Sequence, residues 1–183
     1  PASAGPDKAA AALIDLDQFL GDPRFAAFRG KGYSAVIIDT GIDADHLDFG
    51  ADVNFDGIAD KIIYQYDFAD NDANARDVNG HGSHIASIIS SVVIDANLIA
   101  LKVFKDSGSG SFAYLEKALQ WVNANALTFN IAAVNLSLGD GMNWSDSSSH
   151  YGLGDELAAI ASKNILISAA AGNGFYQFGS HLG

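Results

Sequence analysis

Short apolar runs alternate along the chain with segments of helical periodicity. Five runs have the length and composition of strands, over residues 33–41, 61–68, 98–104, 131–139 and 165–174. Apolar residues at intervals of three and four predict helices over 9–20, from 81 through 89, over 112–125 and over 152–163. Strands that alternate with helices indicate parallel pairing through right-handed crossovers. The pattern therefore predicts a three-layer α/β/α fold around a mostly parallel central sheet.

A chain of 183 residues is long enough to bury the core of one domain, and no internal repeat or long linker divides it. We predict a single unit over residues 1–183, with a helical N-terminal segment over 1–30 and an α/β core over 31–183. The first helix is expected on the outside of the domain. Phe25 and Phe28 are expected to cover the core.

The net charge and the absence of cysteine argue against several classes of function. The chain has 10 basic and 22 acidic residues, a net charge of −12, which argues against nucleic acid or an anionic membrane as a partner. Cysteine is absent, so neither a disulfide framework nor thiol catalysis is available. The apolar runs are shorter than a membrane span, and the first residues do not resemble a signal peptide. A secreted protein would therefore have lost its signal already.

Three polar side chains lie where an α/β fold can bring them together. Asp39 ends the first apolar run, and Asn173 follows the last one. Because the carboxyl ends of parallel strands gather at one edge of a sheet, ligands and catalytic groups collect there. His81 opens a predicted helix between two glycines, a position that suits a proton carrier. Alternatively, His81 and His84 are ordinary polar residues of a helix start or a pair of metal ligands.

A second candidate site is the acidic loop over residues 52–60. Oxygen-bearing side chains occupy its first, third, fifth and ninth places, Gly57 the sixth, and Ile58 the seventh, where calcium loops use a main-chain carbonyl. The twelfth place, which an EF-hand fills with Glu, is Ile63. We therefore predict a calcium turn that is not an EF-hand, with ligands Asp52, Asn54, Asp56, Ile58 and Asp60. The alternative is a solvated acidic turn. The polar loop over 70–77 is interpreted as solvated surface.

Four motifs, in order and spacing, resemble those of the subtilisin-like serine peptidases, the subtilase family. They are Val-Ile-Ile-Asp-Thr-Gly-Ile-Asp at 36–43, Asn-Gly-His-Gly-Ser-His at 79–84, Asn-Leu-Ser-Leu-Gly at 135–139 and Ala-Ala-Gly-Asn at 170–173. The similarity covers about residues 30 to 175. It corresponds to the N-terminal two-thirds of the family's catalytic domain and implies a chain truncated before the nucleophile helix.

The resemblance implies a role for each matching residue. Asp39 and His81 would belong to a Ser-His-Asp triad, with Asn173 as the donor to the oxyanion. Two segments would pair with an extended peptide: Gly108, Ser109 and Gly110 on one side, and Ser137, Leu138 and Gly139 on the other. Ala170 and Gly172 would line the pocket for the residue on the acyl side of the cleaved bond. The loop over 140–151 would shape specificity.

The family's Gly-Thr-Ser motif, which carries the nucleophile, does not occur in this sequence. The serine is therefore expected in a downstream segment or a separate chain, and the isolated 183 residues are expected to be inactive. With that partner, the resemblance implies a secreted serine endopeptidase that uses calcium and acts on peptides or proteins.

Two other functions remain open. Asp39-Thr40-Gly41 also resembles half of an aspartic protease site, but such a site needs a second carboxylate and an all-β fold, and no second Asp-Thr-Gly is present. The other is a pseudopeptidase that binds calcium and peptides but lacks the nucleophile.

Overall fold

The structure, a computed structural model, describes residues 8–141 and 151–173. At its centre is a five-stranded sheet with the order β2-β3-β1-β4-β5. The strands are β1 Ser34–Asp39, β2 Ile62–Asp67, β3 Asn97–Lys102, β4 Ile131–Leu136 and β5 Leu166–Ala169. Each neighbouring pair is parallel, which confirms the predicted sheet.

Helices cover both faces of the sheet. They are α1 Lys8–Leu13, α2 Leu16–Gly21, α3 His81–Val92, α4 Phe112–Asn125 and α5 Gly154–Ala161, with a short 3-10 helix at Leu47–Phe49. One core cluster joins β1, β3 and β4 to α4 and α5, while the second joins the opposite face to α3 and the 3-10 helix. Along the central strand, Val36 and Ile38 belong to the first cluster and Ile37 to the second. The three-layer arrangement is confirmed.

The strand register decides which polar residues meet at the carboxyl edge. Asp39, the last residue of β1, lies opposite Lys102, the last residue of β3. Asp67, the last residue of β2, is also paired with Lys102. Asp39, Lys102 and Asp67, from three adjacent strands, therefore lie side by side at the carboxyl edge of the sheet. The loops that carry the candidate site follow these strand ends.

The N-terminal segment differs from the prediction. The single helix expected over 9–20 is two short helices, because Asp15 adopts a left-handed conformation (φ 54°) that ends the first helix. Phe25 is half-buried and stacks on Phe19 with ring centroids 4.8 Å apart, but Phe28 is 70% exposed. The prediction that both phenylalanines cover the core is thus wrong for Phe28.

In the part of the chain that the structure describes, every helix is too short or too polar to cross a membrane. Most of the predicted loop over 140–151, residue 174 of the last predicted strand and residues 1–7 lie outside the described residues.

Candidate active site

A buried carboxylate and a partly exposed imidazole form the centre of the site. Nδ1 of His81 lies 2.7 Å from Oδ1 of Asp39. The Asp39 side chain is 1% exposed, whereas that of His81 is 46% exposed. The backbone N–H of Thr40 donates to the same Oδ1 at 2.7 Å. Among the described residues, none forms a hydrogen bond with Nε2 of His81, so this nitrogen is available to a substrate or a nucleophile.

The position of His81 depends on a close approach between α3 and the loop after β1. A Cβ on Gly82 would lie 2.2 Å from the carbonyl oxygen of Gly41, a distance that real Cβ atoms do not reach. Only glycine therefore allows the first turn of α3 to pack this tightly against the end of β1. The backbone N–H of Gly82 donates to the Thr40 hydroxyl at 2.9 Å, which fixes the contact.

Asp77 is a site residue that the sequence analysis missed. Its Oδ1 accepts hydrogen bonds from the Thr40 hydroxyl (3.0 Å) and from the backbone N–H groups of Asn79 (3.0 Å) and Gly80 (2.9 Å). Its Oδ2 accepts from the backbone N–H (2.9 Å) and hydroxyl (2.7 Å) of Ser83. The interpretation of loop 70–77 as solvated surface is wrong for this residue, because its carboxylate connects that loop to α3.

Hydrogen bonding also sets the ionisation of Asp77. Burial raises the pKa of its carboxyl, but the hydrogen bonds from Ser83, Gly80 and Thr40 outweigh burial and bring the pKa below the ordinary value of 3.8. The signal in the sequence is an acidic residue just before a helix whose first turn carries a serine, a pattern typical of helix capping.

Lys102 is the second residue that was missed, because it lies inside the apolar run of β3. Its side chain is 3% exposed, and its Nζ donates to the carbonyl of Arg76 at 2.9 Å and to Asp106 at 2.5 Å. Oδ2 of Asp67 is 3.5 Å away. Burial lowers the pKa of Lys102, but Asp106 and Asp67 outweigh it and raise the pKa above its ordinary value. The charged lysine thus holds the loop that contains Asp77.

The two predicted peptide-pairing segments border one apolar pocket. Gly108, Ser109 and Gly110 are exposed in a tight loop in which the N–H of Lys105 donates to the carbonyl of Ser109 at 2.8 Å. A Cβ on Gly110 would lie 2.7 Å from the ring of Phe104, so this glycine too permits a close approach. The residues that line the pocket are Val103, Phe104, Gly110, Ser111, Phe112, Leu115, Leu138, Gly139 and Asp140.

Three of the predicted peptide-pairing residues are therefore brought together at this pocket: Gly110, Leu138 and Gly139. Ser137, the first residue after β4, instead lies close to the end of that strand, and its hydroxyl accepts a hydrogen bond from the Asn135 side chain at 2.9 Å.

The segment after β5 carries the other predicted site residues. The N–H of Ala170 donates to the carbonyl of Leu136 at 3.0 Å, which extends the pairing of β4 and β5 by one residue. Gly172 has a positive φ of 83°, and Asn173 is exposed. No hydrogen bond joins the Asn173 side chain to another residue within the described ranges. Asn173 thus lies beyond the carboxyl end of β5, and it has no hydrogen bond to His81.

The predicted calcium ligands lie on one turn. The carboxylate of Asp52 accepts the N–H groups of Asp56 (3.2 Å) and Gly57 (2.9 Å), and the Asn54 amide donates to Asp56 at 2.9 Å. Asp56 accepts the N–H of Ile58 at 2.9 Å. Asp60 lies farther along and accepts the N–H of Val53 at 3.4 Å. Over residues 8–141 and 151–173, no group of three or more His, Asp or Glu side chains is arranged to hold a metal ion.

Comparison with known proteins decides the family. The sequence model of the Subtilase family matches residues 30–181. The chain belongs to the subtilase family. The match covers the last residue of the N-terminal segment and all but the last two residues of the α/β core, including the Asp39–His81 pair.

Similar proteins are serine proteases by name. The subtilase chain is 35% identical to alkaline serine exoprotease A of Vibrio alginolyticus, over 81% of this chain and 25% of that protein. It is 32% identical to subtilisin-like protease 6 of Arthroderma benhamiae, over 79% of this chain and 34% of that protein. The chain thus spans about a quarter to a third of the length of these curated relatives.

A solved structure gives the same result for the fold. The crystal structure of a cold adapted subtilisin-like serine proteinase aligns with a TM-score of 0.62 and 33% identity, over 80% of this chain and 49% of the other. A subtilase chain with a parallel sheet and helices on both faces is incompatible with the all-β fold that the aspartic protease alternative requires. That alternative is wrong.

Proposed function

We propose that this chain supplies the Asp and His of a Ser-His-Asp triad in a serine endopeptidase that hydrolyses peptide bonds. The observation that carries the proposal is the 2.7 Å hydrogen bond between the buried carboxylate of Asp39 and Nδ1 of the partly exposed His81. The pair lies at the carboxyl edge of a parallel sheet, in a chain of the subtilase family.

The geometry suits a general base whose orientation is fixed. Because a carboxylate only accepts hydrogen bonds, Asp39 favours the tautomer with the proton on Nδ1 and leaves Nε2 as the basic nitrogen. Nε2 would remove the proton of a serine hydroxyl as its oxygen attacks the peptide carbonyl. The resulting imidazolium, stabilised by Asp39, would then return the proton to the leaving amine.

The nucleophile itself would come from sequence outside these 183 residues, in a downstream segment or a separate chain. Asn173 would donate its side-chain amide to the oxyanion of the tetrahedral intermediate, with Ala170 and Gly172 beside the acyl side of the cleaved bond. Loss of such a donor costs about 10²–10³ in rate in this family. The exposed position of Asn173 after β5 is compatible with this role.

The substrate would be an extended peptide bound between the two segments 108–110 and 137–139. A peptide added as a strand is held mainly through its N–H and C=O groups, so small residues with accessible backbone are suitable partners. The pocket between Phe104 and Leu138 is lined mostly by apolar side chains and would receive an apolar side chain of the peptide.

Calcium is the proposed cofactor of loop 52–60, on the kinds of ligand that its sequence offers and not on a preformed cluster of acidic side chains, which the described residues do not contain. Carboxylate, amide and carbonyl oxygens are the ligands that calcium prefers, and Asp52, Asn54, Asp56, Ile58 and Asp60 offer all three kinds. Bound there, calcium would stabilise the fold. Secretion is proposed on the family resemblance and would be tested by the presence of the protein in the culture medium of its source organism.

The experiment combines the chain with its downstream segment, expressed in one chain or separately, and measures hydrolysis of a fluorogenic peptide. Activity is expected, and His81→Ala should reduce it by about 10⁴-fold or more. His84→Ala is the matched control, since His84 is exposed one turn along the same helix and should retain activity. Equal activity of His81→Ala and the parent would contradict the proposal. The pseudopeptidase alternative requires that the downstream sequence contain no Gly-Thr-Ser motif and that no hydrolysis occur.

A further inference from the structure

We propose that Asp77 is a positioning residue that holds His81 against Asp39 by fastening the first turn of α3 to the loop after β1. The role rests on the proposed peptidase function, because it concerns the geometry of the same catalytic pair. Asp77 does not touch the imidazole, and acts through the backbone and hydroxyl groups around it.

Two hydroxyl groups connect Asp77 to both sides of the site. The Thr40 hydroxyl donates to Asp77 at 3.0 Å and accepts from the N–H of Gly82 at 2.9 Å. The Ser83 hydroxyl donates to Asp77 at 2.7 Å and accepts from the N–H of Asp43 at 2.9 Å. Each hydroxyl therefore joins the segment that follows Asp39 to the helix turn that begins with His81.

The backbone of residue 77 is fixed as well. Its N–H donates to the carbonyl of Ile42 at 3.2 Å, and the N–H of Ile42 donates to the carbonyl of Ala75 at 2.8 Å. Lys102, at the end of β3, donates to the carbonyl of the preceding residue, Arg76, at 2.9 Å. The backbone that carries the Asp77 carboxylate is thus held in place. The hydrogen bonds of this carboxylate to the first turn of α3 therefore hold that turn in place as well.

The chemistry at this position requires a carboxylate. All five groups around Asp77 donate hydrogen bonds to it, and none accepts one from it. An Asn side chain would direct its NH₂ group at two or three of these donors. A negative charge is also favoured at the N-terminus of a helix, where the backbone N–H groups have no partners within the helix.

The test is the low-field proton NMR resonance of the hydrogen on Nδ1 of His81, recorded on the 183-residue chain and assigned by its loss in His81→Ala. We expect the resonance in the parent and its loss in Asp77→Asn. Asp72→Asn, in the same loop, is the matched control for charge, because the Asp72 carboxylate accepts from Asn74 and not from α3. It should keep the resonance. A folded Asp77→Asn protein with an unchanged resonance would overturn the proposal.

A second pair of variants tests the hydroxyl relay without changing any charge. Thr40→Val removes the hydroxyl at nearly constant shape and should lose the resonance, whereas Thr40→Ser keeps the hydroxyl and should retain it. This pair decides the question if Asp77→Asn does not fold, and a retained resonance in folded Thr40→Val would overturn the proposal.

In protein supplied with the downstream segment, Asp77→Asn should lower kcat by about 10²-fold with little change in KM, the effect of a small displacement of a catalytic group. Because the resonance reports geometry alone, its loss in Asp77→Asn supports the positioning role even if no variant hydrolyses peptides. Failure of the peptidase proposal would appear only in the hydrolysis assay.

Discussion

At the scale of single residues, the site depends on the environment of one carboxylate. Asp39 is almost completely buried, and within the described residues its Oδ2 has no hydrogen-bond partner. Among those residues, its Oδ1 accepts hydrogen bonds only from the imidazole of His81 and from the backbone N–H of Thr40. Because a buried charge is costly without donors, His81 stabilises the carboxylate as much as the carboxylate orients His81.

This dependence predicts that His81→Ala lowers stability as well as activity. Removal of the imidazole leaves Asp39 with one donor, so the free energy of unfolding should fall by about 1–3 kcal/mol. Urea unfolding of the 183-residue chain measures the change. His84→Ala, on the exposed side of the same helix, should change it by less than about 0.5 kcal/mol. Equal values for the two variants would mean that the Asp39–His81 hydrogen bond contributes nothing to stability.

Asp77 predicts a pH dependence at the same scale. Its pKa in the folded protein is below the ordinary 3.8, so its ionised form stabilises the fold above that pH. This contribution is lost as the pH falls through the lower, folded pKa. The stability difference between the parent and Asp77→Asn should therefore be constant near neutral pH and shrink below about pH 4.

Denaturant titrations at a series of pH values test this dependence, with Asp72→Asn as the control for loss of a loop carboxylate. A difference between the parent and Asp77→Asn that grows toward low pH would have the wrong sign for the account.

At the scale of elements, the geometry of the Asp39–His81 pair depends on how closely α3 approaches the end of β1. Gly82 is buried and its Cα faces the backbone of Gly41, so the approach is limited by the absence of a side chain. The sequence shows that His81 lies between two glycines at the start of a predicted helix. It does not reveal that Gly82 packs against the loop following Asp39.

Gly82→Ala should therefore force α3 away from β1. The added methyl group should cost about 1–3 kcal/mol of stability, the usual effect of overpacking, and should weaken the low-field His81 resonance. Thermal unfolding and proton NMR measure the two effects. Gly21→Ala is the matched control, since a Cβ at Gly21 has no atom within 4 Å and φ there is not positive. A stable Gly82→Ala protein with an intact resonance would show that the contact is not limiting.

The loop over 52–60 is the element on which calcium binding is predicted. Calcium that binds only the folded chain raises the unfolding temperature by mass action, and chelator should lower it. Asp56→Ala removes a carboxylate at the fifth place of the loop and should abolish the response, while Asp17→Ala, an exposed acidic residue of α2, should keep it. A parent midpoint that does not respond to chelator would exclude the calcium site.

At the scale of the whole molecule, hydrophobic periodicity was sufficient to predict the five strands, the helices α3 to α5 and the layered architecture. It was sufficient because β1 to β4 and α3 to α5 bury residues that the apolar pattern marks, and because β5 is an apolar run although none of its residues is fully buried. The break at Asp15 was not predictable, since the left-handed conformation leaves no trace in the apolar pattern of 9–20. Asp77 and Lys102 were missed because the contacts that tie them to distant segments, with the Thr40 hydroxyl and the Arg76 carbonyl, form only in the fold. The contacts of Asp77 with Asn79, Gly80 and Ser83 are local and follow the capping pattern in the sequence.

The described residues do not supply the third member of the proposed triad. In the proposed function Asp39 and His81 activate a serine, but among the described residues no serine is hydrogen-bonded to His81. Ser83 lies closest in sequence, and its hydroxyl is engaged with Asp77 and Asp43. Catalysis is therefore expected only when a serine from outside the 183 residues reaches Nε2 of His81.

The most direct test of this claim is labelling by a fluorophosphonate probe, with mapping of the modified residue by mass spectrometry. The 183-residue chain should not be labelled, and addition of the downstream segment should produce labelling on a serine of that segment together with peptide hydrolysis. His81→Ala should abolish both, and His84→Ala should retain both. Stoichiometric labelling of a serine within residues 1–183 would contradict the account and require a different catalytic arrangement.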